Sequence, residues 1–121
     1  MQMDEDGLLG RTKRFALRII KLCEALPNTP TAHVIRGQLL RSGTSVGSNY
    51  RAACRAKSSA DFISKMGTVE EETDESLYWI EMLIEAAIVK QDLLTDLMKE
   101  GNEILAMTVS SINTARQGKR K

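Results

Sequence analysis

Gln38-Leu39-Leu40-Arg41-Ser42-Gly43-Thr44-Ser45-Val46-Gly47-Ser48-Asn49-Tyr50-Arg51-Ala52-Ala53 is the stretch on which the architecture turns. With Val34 and Ile35 before it, Leu39, Leu40, Val46, Tyr50 and Ala53 recur at helical spacing. Gly43 and Gly47 interrupt that pattern, and each costs up to about 1 kcal/mol against Ala in a helix interior. They are tolerable if close packing compensates. One turn apart, two glycines let another backbone approach, and the flanking Ser and Thr hydroxyls can bond back to carbonyls of their own helix. The run then predicts one helix over about 30–57. The alternative is a break at Gly43 into two helices.

Outward from this stretch, a helical stripe of Phe15, Leu17, Ile19, Ile20, Cys23 and Leu26 occupies about 11–26 and ends at Pro27. Pro27-Asn28-Thr29-Pro30-Thr31 cannot continue a helix, because the prolines lack a donor and Pro30 disfavours helical geometry at Thr29. Thr29 or Thr31 can cap the next element, with Pro30 in its first turn. Downstream, Ser58 or Ser59 is a suitable N-cap, with Asp61 well placed against the helix dipole. A long helix is predicted from there to about Lys90, with Phe62, Met66, Val69, Leu77, Trp79, Ile80 and Leu83 in its apolar set. A last one, about 92–114, carries Leu94, Leu97, Ile104 and Ile112 and is weakened locally by Gly101. Four amphipathic helices with short connections predict an all-α, antiparallel up-and-down four-helix bundle. The bundle domain spans 11–115, after an acidic segment at 1–10 and before a basic tail at 116–121.

Composition agrees. In 121 residues, 42% hydrophobic and 27% charged positions with only 2 prolines exclude a disordered or collagen-like chain, and 4% aromatics argue against a β-sandwich. The acidic start is unlike a signal peptide and no apolar run is long enough for a bilayer, which predicts a cytoplasmic protein. The net charge of +1 conceals an asymmetry. Between 11 and 60 ten basic residues stand against Glu24 alone, whereas between 61 and 115 three lysines face twelve acids. Such halves can pack against each other, within a chain or between subunits, or leave a basic face for phosphates.

Catalytic chemistry finds no foothold. His33, the one histidine, has no Glu three residues before it, so the carboxylate-rich bundle lacks the Glu-x-x-His pattern of a di-metal site. Ser42, Ser45 and Ser48 lack a nucleophile elbow, and Gly43 and Gly47 lack the Lys-Ser/Thr of a phosphate loop. Cys23 and Cys54 lie outside zinc spacings and read as small buried apolar groups. No cofactor and no metal site is expected. Arg51 and Arg55, one turn apart, are the most distinctive pair. They can join a network with Glu71, Glu72 and Glu75, or, with Lys57 and Arg41, form a stripe that contacts nucleic-acid phosphates, Tyr50 adding a stacking surface. Trp79 reads as core.

Residues 38–53, followed by Ser59-Ala60-Asp61-Phe62-Ile63-Ser64-Lys65-Met66 and Glu71-Glu72-Thr73-Asp74-Glu75-Ser76-Leu77-Tyr78-Trp79-Ile80, closely resemble the bacterial four-helix-bundle family related to proteins encoded in 23S ribosomal RNA intervening sequences, the S23 ribosomal protein family. The resemblance covers about 11–115 and implies a bundle that assembles as a homopentameric ring; it does not imply an enzyme, and none is expected. Many such proteins have Asn-Ile-Ala-Glu-Gly where this chain has Asn49-Tyr50-Arg51-Ala52-Ala53, so Arg51 makes the local surface more basic. Two functions follow as expectations. One is binding of RNA or other nucleic acid through Arg41, Arg51, Arg55 and Lys57. The other is an oligomeric scaffold or partner-binding module with no nucleic-acid affinity.

Overall fold

Four helices, α1 (Leu8–Ala25), α2 (Pro30–Cys54), α3 (Ser59–Glu85) and α4 (Gln91–Arg116), follow one another in the computed structural model, which describes residues 7–118. Each packs on its neighbours in the chain, α4 closes onto α1, and the backbones of the diagonal pairs stay apart. No strand occurs among the described residues. The basic tail residues Lys119, Arg120 and Lys121 lie outside the described residues, as does most of the acidic N-terminal segment.

Local chemistry sets the helix ends. The Thr29 side chain accepts from the Ala32 N–H at 3.2 Å with Pro30 in the first helical turn, and Ser58 Oγ accepts from the Asp61 N–H at 3.0 Å. At the end of α1 the Arg36 guanidinium reaches back from α2, donating to the carbonyls of Cys23, Leu26 and Pro27 at 3.0, 3.2 and 3.1 Å. Carbonyls that a helix terminus leaves unpaired are thereby satisfied from the next helix. The third helix stops at Glu85, short of the expected Lys90. Its terminus is a Schellman turn in which the Ile88 N–H returns to the Leu83 carbonyl at 2.9 Å and the Ala87 N–H to Ile84 at 3.0 Å. Ala87 occupies the left-handed position, φ 58°, where glycine is usual.

The second helix is continuous through Gly43 and Gly47, so the break does not occur. A Cβ at Gly43 would stand 2.5 Å from Cδ1 and 2.9 Å from Cγ2 of Ile19, and one at Gly47 would stand 3.2 Å from Thr12 Oγ1. The two glycines are the seam along which α1 seats on α2. Gly101 plays the same part in α4, where a Cβ would lie 2.7 Å from Leu77 Cδ2 and 3.3 Å from the Phe15 ring. Phe15, Ile19, Leu39, Val46, Met66, Val69, Ile80, Leu83 and Ile104 fill the core and are fully buried. Hydroxyls within it are paired: Ser76 Oγ donates to Glu72 O at 2.8 Å and lies 3.0 Å from Ser42 Oγ across the α2–α3 contact, and Thr73 and Thr108 bond back to Val69 and Ile104 at 2.7 and 2.8 Å. Among the described residues no buried side-chain polar atom is left without a partner.

Arg11 clamps α1 to α4. Its Nε and Nη2 engage both Glu100 carboxylate oxygens at 2.9 and 2.8 Å, and Nη2 also meets Glu103 at 2.6 Å. This forked arrangement is the strong form of an arginine–carboxylate pair. The Arg11 hydrogen bonds outweigh burial and hold the Glu100 carboxyl below the ordinary glutamate value of 4.5.

Two outcomes follow. In urea unfolding, Gly43→Ala should lower stability by roughly 1–3 kcal/mol through overpacking against Ile19, whereas Gly37→Ala, whose new methyl meets nothing within 4 Å, should raise it by about 0.5–1 kcal/mol. Shifts of the same sign would contradict the seam. The second concerns pH. A carboxyl with a lowered native pKa contributes in full above its ordinary value, and that contribution is lost as pH falls through the lowered one. Stability should therefore decline on acidification below about pH 4.5, and Glu100→Gln should flatten this acid limb while costing about 1–2 kcal/mol near pH 7. An acid limb of unchanged steepness would show that Arg11 and Glu100 do not act as a clamp.

Candidate nucleic-acid interface

A groove of about 600 Å³ opens between α1 and α2 at the end of the bundle where α1 begins. Its position follows from the seam. Gly43, Gly47 and Arg51 lie in one row of α2 at successive spacings of four, and Arg55, the C-cap residue, follows at the same spacing. Where the row meets α1 it is glycine. Gly47 faces Thr12, one turn from the start of α1 at Leu8, and beyond that point the row turns to arginine. Lys13 enters from α1, Thr44 and Ser48 stand on the α2 wall, and Leu9 and Ala16 add apolar surface.

Arg51, Arg55 and Lys13 are exposed, and none has an ion-pair partner among the described residues. No carboxylate lines the groove. The Thr44 hydroxyl donates to Leu40 O at 2.8 Å and Ser48 to Ser45 O at 3.2 Å, so both turn lone pairs outward as acceptors. Three cations above a partly apolar trough can neutralise a phosphate backbone, and among the described residues no acid is paired with them.

The four basic residues singled out from the sequence do not come together. Arg51 and Arg55 share the groove wall. Arg41 stands apart, its Nη1 3.2 Å from Glu72 Oε1 and its Nη2 in short contact with Glu75. Hydrogen bonds from Trp79 Nε1, at 3.0 Å, and from Arg41 hold the Glu75 carboxyl below the ordinary range. The expected arginine–carboxylate network is thus present, but it is built on Arg41. The reason is axial level. In the antiparallel hairpin Arg41 lies opposite Glu72, whereas Arg51 and Arg55 lie opposite the first turns of α3, where the one acid is Asp61. Asp61 is itself engaged by Lys65 Nζ at 2.5 Å and by the Lys57 N–H at 3.2 Å. Lys57 sits in the α2–α3 connection beside Asp61, outside the groove lining.

Tyr50 is half-buried against the core and does not line the groove, and Trp79 is half-buried rather than fully inside, edge-on to Tyr78 with ring centres 5.0 Å apart. Cys23 is buried, which pushes its thiol pKa up. Cys54, expected to be buried as well, is exposed on the groove lining. Sequence reasoning did not single out Lys13, Thr44 or Ser48 for this site, because their convergence depends on the register of α1 against α2. The seam supplies the missing signal: once Gly47 is set against Thr12, Lys13 must lie beside the α2 row. Among the described residues no group of three or more His, Cys, Asp or Glu is placed to hold a metal ion, and no helix is long and apolar enough to cross a membrane.

Comparison with known proteins agrees with the bundle. A family model described as 23S rRNA-intervening sequence protein matches residues 8–110. A crystal structure from Bacteroides thetaiotaomicron, of a protein with unknown function from the S23 ribosomal protein family, is 35% identical, covers 88% of this chain and 98% of its own, and superposes with a TM-score of 0.83. None of the curated proteins matches the chain. The match runs from the first turn of α1 to the last turns of α4 and takes in the glycine seam, the α2–α3 hairpin and the basic groove; this chain belongs to the 23S rRNA-intervening sequence protein family.

Proposed function

We propose that this protein is a non-enzymatic, cytoplasmic RNA-binding protein that works as a homo-oligomer, expected as a pentameric ring, and holds phosphates in the α1–α2 groove with Arg51, Arg55 and Lys13. One observation carries the reading. Arg11, Arg36 and Arg41 are engaged in holding helices together, whereas the three cations of the groove have no acidic partner among the described residues. Cations gathered at one end of the bundle without an acidic partner among the described residues suit a polyanion. In an oligomer the groove is repeated, and an RNA that spans two copies gains by effective concentration as well as by contacts.

A second reading has its own support. Leu17, Val34, Leu40, Tyr78 and Leu93 are large apolar side chains left exposed. Such residues suit an oligomeric scaffold or partner-binding module with no nucleic-acid affinity.

Fluorescence anisotropy with a labelled structured RNA separates the two. Three phosphate contacts per engaged subunit predict a fall in affinity of roughly 40-fold between about 50 and 200 mM salt. Arg51→Ala/Arg55→Ala should weaken binding and make the salt slope shallower by about two, while Arg41→Ala should lower stability and leave the slope unchanged. Absence of binding at low salt by the assembled protein would overturn the RNA reading in favour of the scaffold.

A further inference from the structure

A second groove, of about 590 Å³, lies between the end of α1, the α3–α4 turn and the start of α4. Its apolar surface is concentrated. Leu22, Ile88 and Leu94 form the walls, and Leu93 projects with 72% of its surface exposed. The Schellman turn at Ala87 presents Ile88 and Val89 to the groove. Arg18, Lys21 and Lys90 rim it, no carboxylate lines it, and none of the three cations has an ion-pair partner among the described residues.

The complement to this groove is on the same chain. Glu71, Asp74, Tyr78, Glu81 and Glu85 follow one another along α3 at spacings of three and four, all exposed, and none of the four acids is in an ion pair among the described residues. Tyr78, with 51% of its surface exposed, sits in the middle of them. The stripe is an acidic amphipathic ridge with an aromatic centre. From Asp74 to Glu85 it runs about 16 Å, three helical turns, comparable with the stretch of α1 and α4 that walls the groove. It lies on the solvent-facing side of α3, diagonal to α1 in the bundle, so it cannot fold back into the groove of its own chain.

We propose that the α3 stripe of one copy docks into the α1–α4 groove of the next, Tyr78 seating against Leu93 and Ile88 while Asp74, Glu81 and Glu85 meet Arg18, Lys21 and Lys90. The inference rests on the oligomeric reading above and names the surfaces that make it. Because groove and stripe are different faces, the contact is heterologous, and repetition closes into a ring or extends as a filament. Apolar contact supplies adhesion and the charges select the register. The α1–α2 groove is lined by none of the residues of either docking surface.

Size-exclusion chromatography with light scattering on the full chain tests this, with circular dichroism to confirm that each variant keeps its helices. Wild type should exceed the monomer mass of 13.4 kDa. Lys21→Glu/Lys90→Glu and Glu81→Lys/Glu85→Lys should each fall to the monomer mass, the chain combining all four substitutions should return to the wild-type mass, and Arg51→Ala/Arg55→Ala should leave it unchanged. Variants that keep the full mass, or a fourfold variant that stays monomeric, would overturn the pairing while leaving oligomerisation intact. A monomeric wild type would overturn both.

Discussion

The structure depends on two places where α2 carries no side chain. At Gly43 a methyl group would drive into Ile19, and at Gly47 it would press on Thr12. Their absence lets α1 lie against α2 closely enough for Ile19 to be wholly buried and for Arg36 to reach the carbonyls that end α1. The energetic logic is a trade. Two glycines weaken the helix that bears them by up to about 2 kcal/mol in sum, and the dispersion and apolar burial gained along the seam offset it. The same row of α2 then continues past the seam as Arg51 and Arg55, so the constraint that seats the helices also sets where the basic groove opens.

Charge is sorted by the same geometry. The contrast between a basic first half and an acidic second half is resolved pair by pair. Arg11 is matched to Glu100 and Glu103 across α1–α4, and Arg41 to Glu72 and Glu75 across α2–α3. The Arg11–Glu100 pair is partly buried and forked, which raises it above the small contribution of ordinary surface salt bridges, whereas Arg41 is exposed and meets Glu72 and Glu75 through one nitrogen each. Among the charges outside these pairs, Lys13, Arg51 and Arg55 line one groove, Arg18, Lys21 and Lys90 rim a second, and Glu71, Asp74, Glu81 and Glu85 share one face of α3. Residual charge of one sign collected on a rigid surface is a feature of binding rather than of folding.

Much of this was legible in the sequence, for identifiable reasons. Helix periodicity, the Pro27–Thr31 break and the Ser58 cap are local signals, and the elements they predict are present. The glycine pair was legible as a close-packing seam within one helix, with a break at Gly43 as the alternative, and the continuous α2 decides for the seam. The end of α3 was not, since Ala87 takes a left-handed conformation without the glycine that ordinarily marks it. Nor was the division of labour between Arg41 and Arg51, or the exposure of Cys54. Each depends on the axial level at which two helices meet, and no periodicity within a single helix encodes that level.

The central claim is that the end of the bundle bearing Arg51, Arg55 and Lys13 is where an anionic partner is held. Backbone amide chemical-shift mapping of the isotope-labelled protein on addition of a short structured RNA tests it most directly. The account predicts that the perturbed amides cluster at Lys13, Ala16, Gly47, Ser48, Arg51 and Arg55, with those around Arg41, Glu72 and Glu75 unmoved. Perturbations centred on the α2–α3 ion-pair cluster or on α4, with the groove silent, would contradict it.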